Sequence, residues 1–255
     1  MKAIILSAGQ GRRLLPLTES TPKCALPVAG STLLEWQLHE LGRAVDEVVV
    51  VTGFGADRVD AIAEAWQTVP VRTLYNPFYA LADNLGTCWV AREEMTEPFV
   101  LINGDTLFEA AVVQRLLATP ERSAVTLVID RKDAYDADDM KVVVAGDRLE
   151  RVGKTLSEGV NGESIGMMVF RGDGPALFRR TVAHMMRYGE GTKRWYLSAI
   201  DTLAGQQQVA VCDIHGLSWC EVDEAEDLAN AQQVVSAWPA YAARHRGNGT
   251  RARGA

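Results

Sequence analysis

MKAIILSAGQGRRLLPLTESTPKCALPVAG, residues 1–30, decides how the chain is read. It opens with a short apolar strand, Ala3-Ile4-Ile5-Leu6. A loop follows that carries Gly9, Gly11, Arg12, Arg13 and Lys23, with no acidic residue before Glu19. Glycine lacks a Cβ, so its backbone can close on a phosphate. Arg12 and Arg13 bring planar guanidinium forks and Lys23 a compact point charge. A cationic, glycine-bearing loop at the carboxyl end of a first strand reads as a phosphate site. Two familiar phosphate loops do not match it. The dinucleotide fingerprint needs a third glycine opening a helix, but Leu14 stands there, and Pro16, Pro22 and Pro27 keep the segment from being helical. The Walker loop needs Gly-Lys-Ser/Thr, whereas Lys23 lies between Pro22 and Cys24.

Beyond the loop, Leu33, Leu34, Trp36, Leu38 and Leu41 fall at helical spacing within Ser31–Val45, with Ser31 or Thr32 as N-cap and Glu35 in the first turn. Val48 to Val51 reads as a buried strand, Asp57 to Trp66 as a short helix, and Val69 to Leu74 as a third strand. Strands separated by helices predict parallel βαβ units with right-handed crossovers. Tyr75 to Thr87 is a loop rich in aromatic and amide side chains. It leads into a helix over Leu85–Met95, with Asp83 or Asn84 as cap. Phe99 to Ile102 is the next buried strand, and it runs into Asn103-Gly104-Asp105. A carboxylate there, at the carboxyl end of a central strand, stands where open α/β sheets bind ligands. Mg²⁺ takes oxygen ligands and commonly shares them with substrate phosphates.

Ala124 to Ile129 is a further strand, and the charged run Asp130–Asp139 reads mostly as a solvated face. Met140–Val144 and Arg148–Val152 form a β-hairpin across a glycine-containing turn, followed by Lys154. Asn161 to Gly166 precedes a strand over Met167–Phe170. Arg194-Trp195-Tyr196 opens a helix to Leu203, and aromatics in that place are commonly core residues. Gln208–Ile214 and Ser218–Val222 are late strands. Asp223 then sits where strand gives way to helix, a position suited to an N-cap with Glu226 closing a capping box.

The chain has 255 residues, is 47% hydrophobic and carries a net charge of −7. That is enough for one substantial core, and the negative balance argues against nucleic acid as a partner. No apolar run reaches the length of a membrane helix, and no signal-peptide pattern opens the chain. Cys24, Cys88, Cys212 and Cys220 show no paired spacing, which fits free thiols in a reducing cytoplasm. Arg244, Arg246, Arg251 and Arg253 among glycines read as a disordered terminus over 241–255.

Leu6-Ser7-Ala8-Gly9-Gln10-Gly11-Arg12-Arg13-Leu14-Leu15-Pro16-Leu17-Thr18, with Thr21-Pro22-Lys23 and Leu26-Pro27-Val28, resembles the signature of nucleotidyltransferases that activate sugar phosphates and alcohol phosphates. Arg12 stands where the sugar enzymes more often have Thr. The resemblance runs from Met1 to about Val235 and its overall look is nearest to phosphocholine-type cytidylyltransferases. It implies that Leu6, Ala8, Gly9, Gly11, Arg12, Arg13, Lys23, Asn84, Thr87 and Gly104 embrace a nucleoside triphosphate. Lys23 and Arg13 are then the catalytic cations, and Asp105 and Asp223 the carboxylates holding Mg²⁺. Lys154 (with Lys141 as the alternative), Glu163, Trp195 and Tyr196 would meet the acceptor, the aromatics by boxing a quaternary ammonium.

The resulting expectation is an α/β, Rossmann-like, mostly parallel mixed sheet flanked by helices, of the nucleotide-diphospho-sugar transferase type. It forms one domain over residues 1–240, with a small hairpin insertion at 133–160. The expected reaction joins a nucleoside monophosphate, from CTP by preference, to a small phosphorylated alcohol or phosphonate, in a cytoplasmic monomer or homodimer. The rival is a sugar-1-phosphate nucleotidyltransferase using UTP, dTTP or GTP.

Overall fold

A computed structural model describes residues 1–248. In chain order it contains β1 (Lys2–Leu6), β2 (Pro27–Val28), β3 (Ser31–Thr32), α1 (Leu33–Leu41), β4 (Glu47–Thr52), α2 (Ala56–Ala65), β5 (Val71–Tyr75), α3 (Asn84–Val90), β6 (Phe99–Asn103), β7 (Thr106–Phe108) and α4 (Ala110–Ala118). There follow β8 (Val125–Asp130), β9 (Lys141–Ala145), β10 (Arg148–Val152), β11 (Gly162–Phe170), α5 (Gly174–Tyr188), α6 (Leu197–Gly205), β12 (Val209–Asp213), β13 (Trp219–Glu221), α7 (Ala225–Ser236) and α8 (Pro239–Asn248). Nine strands make one sheet in the order β5-β4-β1-β6-β11-β8-β12-β10-β9. Strands β5, β4, β1 and β6 are parallel neighbours, as are β8 and β12, while β11 and β10 oppose them. The apolar runs in β1, β4 and β6 follow from burial on both faces of this sheet. Ile4, Val49 and Leu101 point into one apolar cluster, and Ile5, Val50 and Ile102 into the other.

Chain order reverses between β1 and β6, since β4 and β5 lie on one side of β1 and the later strands on the other. That switch point is where open α/β sheets leave a crevice beyond the strand ends. Helix α1 begins as its sequence predicts. Thr32 accepts from the Glu35 N–H at 3.2 Å and Glu35 reaches back to the Thr32 N–H at 2.7 Å, a closed capping box.

Four expectations change. Strand β11 spans nine buried residues instead of four, because Gly166 (φ 72°) carries a register shift that lets the strand serve three partners. Its second half pairs with β6 and β8, and its first residues with β8 and β9. The hairpin β9–β10 is accordingly an extension of the main sheet and not a free excursion. The helix expected over Leu85–Met95 is α3 followed by a 3₁₀ turn at Ala91–Glu94. The terminus expected to be disordered from 241 is helical to Asn248. Trp238 packs edge-on against Trp36 at 6.4 Å and donates to Ser218 Oγ at 2.7 Å, anchoring α8. Arg251 and Arg253 lie outside the described residues.

Candidate active site

The loop after β1 is held open by its own bonds. Thr18 Oγ1 donates to the Gly11 carbonyl at 2.8 Å and Gln10 Nε2 to the Thr18 carbonyl at 3.1 Å. Gly11 lies in the left-handed region (φ 74°), and a Cβ there would come within 2.9 Å of Lys23 Cβ, so the glycine lets Lys23 fold under the loop. Gly104 is equally constrained, since its Cβ would meet the Leu6 carbonyl at 2.6 Å. Loop, Lys23 and the end of β6 enclose a cavity of about 190 Å³ lined by Leu6, Gly9, Gly11, Lys23, Asn84 and Gly104, all expected nucleotide residues, together with Ser7, Cys24, Asn103 and Asp105.

The four other expected nucleotide residues lie elsewhere, Arg13 among them in the adjoining cavity with Asp223. Ala8 is buried and its carbonyl accepts from the Phe54 N–H at 3.0 Å. Thr87 is buried in α3, bonded by Asn76 at 3.2 Å. Arg12 turns to a separate cavity beside Tyr79 and Leu81. Cys24, though it faces the phosphate cavity, stays a thiol because burial pushes its pKa up to about 11.

Asp105 and Asp223 meet because β7 and β13 form an antiparallel ribbon. Thr106 pairs with Glu221, and the Val222 N–H donates to the Asp105 carbonyl at 3.1 Å. Lys23 Nζ bridges the two carboxylates, at 2.7 Å from Asp105 Oδ2 and 2.9 Å from Asp223 Oδ1. Burial alone would lower the Lys23 pKa, but these two charges outweigh it and hold it above the usual lysine range. Arg13 Nη2 lies 2.8 Å from Asp223 Oδ2. Against the raising effect of burial, Lys23 and Arg13 hold Asp223 below the ordinary carboxylate range.

The third carboxylate of this group, Glu221, was not assigned a role by sequence reasoning, although its place in Glu221-Val222-Asp223 was visible. Its side chain is exposed to solvent, with protein crowded around it on the other sides. Loss of bulk water, then Asp105 and Asp223, push its carboxyl up to about 8. Oxygens of Asp105, Glu221 and Asp223 lie within 4.8 Å of one another. Asp105 Oδ1 is buried with no hydrogen-bond partner, so the trio has an acceptor oxygen left over for a cation. An all-carboxylate set of this kind suits Mg²⁺ or Mn²⁺ and not a thiolate-preferring metal. The capping reading of Asp223 does not hold. Glu224 is the N-cap of α7, and Asp227 accepts from the Asp223 and Glu224 N–H groups.

Of the expected acceptor residues, Lys154 and Trp195 line a cavity of about 180 Å³ that also contains Arg13, Asp105, Glu221 and Asp223. Lys154 Nζ lies 5.1 Å from the Trp195 ring centroid and 3.3 Å from Asp138, which also bonds Arg13 at 3.2 Å. Asp138, in the supposed solvated run, is thus a second residue missed from sequence. Lys141 is buried under the loop, donating to the Lys154 carbonyl at 2.9 Å. Tyr196 is fully buried, and its hydroxyl donates to Asn103 Oδ1 at 3.0 Å, so it supports the cleft floor and presents no ring to it. Glu163 faces a neighbouring cavity, paired with Lys132 at 3.0 Å. Its desolvation, only partly offset by Lys132, raises its carboxyl to about 7.

Comparisons with known proteins place the chain in a family and a fold. The family model described as MobA-like NTP transferase domain matches residues 3–209. The CMP-5'-(3-aminopropyl)phosphonate synthase of Streptomyces rubellomurinus is 37% identical over 49% of this chain and 20% of its own. The choline-phosphate cytidylyltransferase of Streptococcus pneumoniae is 33% identical over 43% of this chain and 47% of its own. The chain thus spans from a fifth to about half the length of these curated relatives. The solved structure of the CTP:phosphocholine cytidylyltransferase of Streptococcus pneumoniae superposes with a TM-score of 0.74 at 21% identity, covering 92% of this chain and 98% of that one. Its likeness is one of fold, the α/β nucleotide-diphospho-sugar transferase architecture expected from the sequence. With a cationic glycine loop and a carboxylate trio meeting at the switch point of that fold, the chain belongs to the MobA-like NTP transferase family of nucleotidyltransferases.

Proposed function

We propose that the protein transfers a nucleoside monophosphate from a nucleoside triphosphate, CTP by preference, to a small phosphorylated alcohol or phosphonate. An oxygen of the acceptor phosphate attacks the α-phosphorus, a new O–P bond forms, the bond to the β-phosphate breaks and pyrophosphate leaves. The observation that carries this reading is the meeting of Lys23 with Asp105 and Asp223 at the mouth of the glycine loop.

The loop amides and Lys23 hold the triphosphate, and Arg13 places a guanidinium on the wall of the acceptor cavity, beside Asp223, to stabilise charge that develops in the transfer. Lys154, across the same cavity, orients the acceptor phosphate. Mg²⁺, held by Asp105 and Asp223 with Glu221, would supply charge neutralisation across the two substrates. Catalysis then rests on positioning and charge, and the protonated Cys24 thiol fits a route without a covalent intermediate. The preference for CTP is supported by the relatives, one named for the synthesis of a CMP-phosphonate and the other as a cytidylyltransferase. Four buried, unbridged thiols suit a reducing, cytoplasmic setting.

The test is pyrophosphate release from CTP, UTP, dTTP, GTP and ATP in turn, with Mg²⁺ and a mixture of phosphorylated acceptors. CTP should give the fastest acceptor-dependent release. A faster rate with UTP, dTTP or GTP on a sugar 1-phosphate would replace the donor and acceptor assignment, and no release from any triphosphate would overturn the reaction.

A further inference from the structure

The acceptor cavity does not end at Lys154. It opens through Met140, Lys154, Trp195 and Leu197 into a second cavity of about 430 Å³ between the β10–β11 connection and the start of α6. The wall of this outer cavity carries Arg151, Lys154, Lys193 and Arg194 against Asp83 and Asp201. Arg151 and Asp201 pair with each other at 3.0 Å and cancel. Lys193 keeps a 3.5 Å surface pair with Glu190, which is weak. Arg194 makes no ion pair among the described residues. Lys154 is shared with Asp138 at 3.3 Å, which leaves Lys193 and Arg194 facing the cavity against Asp83, and Thr155 and Ser198 add hydroxyls.

An ammonium head group needs the opposite lining. A quaternary ammonium is held by aromatic faces and by carboxylates. Trp195 is the one aromatic side chain on the wall of either cavity among the described residues, and the Lys154 ammonium already lies over its ring at 5.1 Å. The face that would take a choline head is covered by a cation of the protein itself. Tyr196, which could have made a second wall, is buried.

We infer that the acceptor carries an anionic head group, a carboxylate for instance, at the end remote from the attacking phosphate, and that Arg194 and Lys193 receive it in the outer cavity. Arg194 has the fork geometry to bind a carboxylate with two hydrogen bonds. This inference rests on the nucleotidyltransferase reading for the role of the inner cavity. It selects the acceptor within that reading.

Calorimetric titration decides it, with three phosphate monoesters that differ in their head: 3-phosphoglycerate (anionic), glycerol 3-phosphate (neutral) and phosphocholine (cationic). Each is titrated into the full chain with Mg²⁺ and a non-hydrolysable CTP analogue at fixed ionic strength. The expected result is binding of 3-phosphoglycerate at least tenfold tighter than phosphocholine. In Arg194→Gln and Lys193→Gln together, that ratio should fall below about threefold while glycerol 3-phosphate still binds, which shows the variant is folded. Phosphocholine binding equal to or tighter than 3-phosphoglycerate, an unchanged ratio in the variant, or no binding of any of the three would overturn the inference. Pyrophosphate release scores the parent reading separately. Tight 3-phosphoglycerate binding without release from any triphosphate retracts the reaction alone, whereas release driven best by phosphocholine retracts the anionic head alone.

Discussion

Replacing Lys23 with methionine removes the ammonium that bridges Asp105 and Asp223 while keeping an unbranched apolar stem. Deleting one partner of a buried ion pair costs about 3–5 kcal/mol, because a charge is left uncompensated. Here the Asp105 and Asp223 side chains keep 21% and 26% exposure, and Arg13 still bonds Asp223. The low end, roughly 3 kcal/mol, is therefore expected. For a chain of this size that is a fall in Tm of about 6–12 °C in metal-free buffer. Divalent metal should act in the opposite sense. In the wild type it must displace the ammonium from the two carboxylates, and in the variant it need not. Lys23→Met should thus bind Mn²⁺ at least tenfold more tightly, and Mg²⁺ should raise its Tm more than that of the wild type. Scanning calorimetry with and without Mg²⁺, and Mn²⁺ titration followed by electron paramagnetic resonance, read both effects. An unchanged Tm without metal, or weaker Mn²⁺ binding in the variant, would refute the view that Lys23 and the metal share one pair of carboxylates.

Glu221 makes the metal site pH-dependent. Its carboxyl is raised to about 8, so a proton must leave before a cation is bound well, and Mn²⁺ affinity should climb with pH up to that value and level off above it. The same shift makes metal-free stability fall as pH rises from about 4.5, where the unfolded chain ionises, to about 8, with no further loss beyond. Glu221→Gln should flatten both profiles. Gly104→Ala places a methyl 2.6 Å from the Leu6 carbonyl, backbone that cannot yield, and should cost roughly 1–3 kcal/mol in denaturant unfolding. Tyr196→Phe removes one hydrogen bond to Asn103 and should lower stability by about 1 kcal/mol, while leaving discrimination among charged acceptor heads unchanged. Trp195→Ala should change that discrimination.

The parts of the site that were legible in the sequence are those written as local patterns. Gly9, Gly11 and Lys23 announce a phosphate loop because glycines, prolines and cations occur there without acids. Asp105 is legible because a buried strand ends at it. Features set by non-local pairing were not. Glu221 joins Asp105 and Asp223 only because β13 pairs with β7, and a two-stranded ribbon leaves little trace in a three-residue strand. Asp138 looked like one solvated charge among many until the chain folded it onto Arg13 and Lys154. Trp195 and Tyr196 are adjacent, yet one lines the cleft and the other is fully buried, since neighbours at a helix start point to different sides. The first half of β11 was hidden by Gly166, which reads as a turn residue but here carries a register shift inside a strand. Residues 241–248 looked like tail because their composition is basic and poor in apolar residues. Trp238, just before them, seats α8 against Trp36 all the same.

The central claim is that Asp105 and Asp223 would hold a divalent metal that supplies charge neutralisation for the transfer from nucleotide to acceptor. The direct measurement follows CTP, Mg²⁺ and a phosphorylated acceptor by ³¹P NMR with wild type and Asp105→Ala, each first shown to be folded. The account predicts pyrophosphate and a new diphosphate-linked product from the wild type, and a loss of at least about 10³-fold in that rate from the variant. Full Mg²⁺-dependent pyrophosphate release by Asp105→Ala would contradict it.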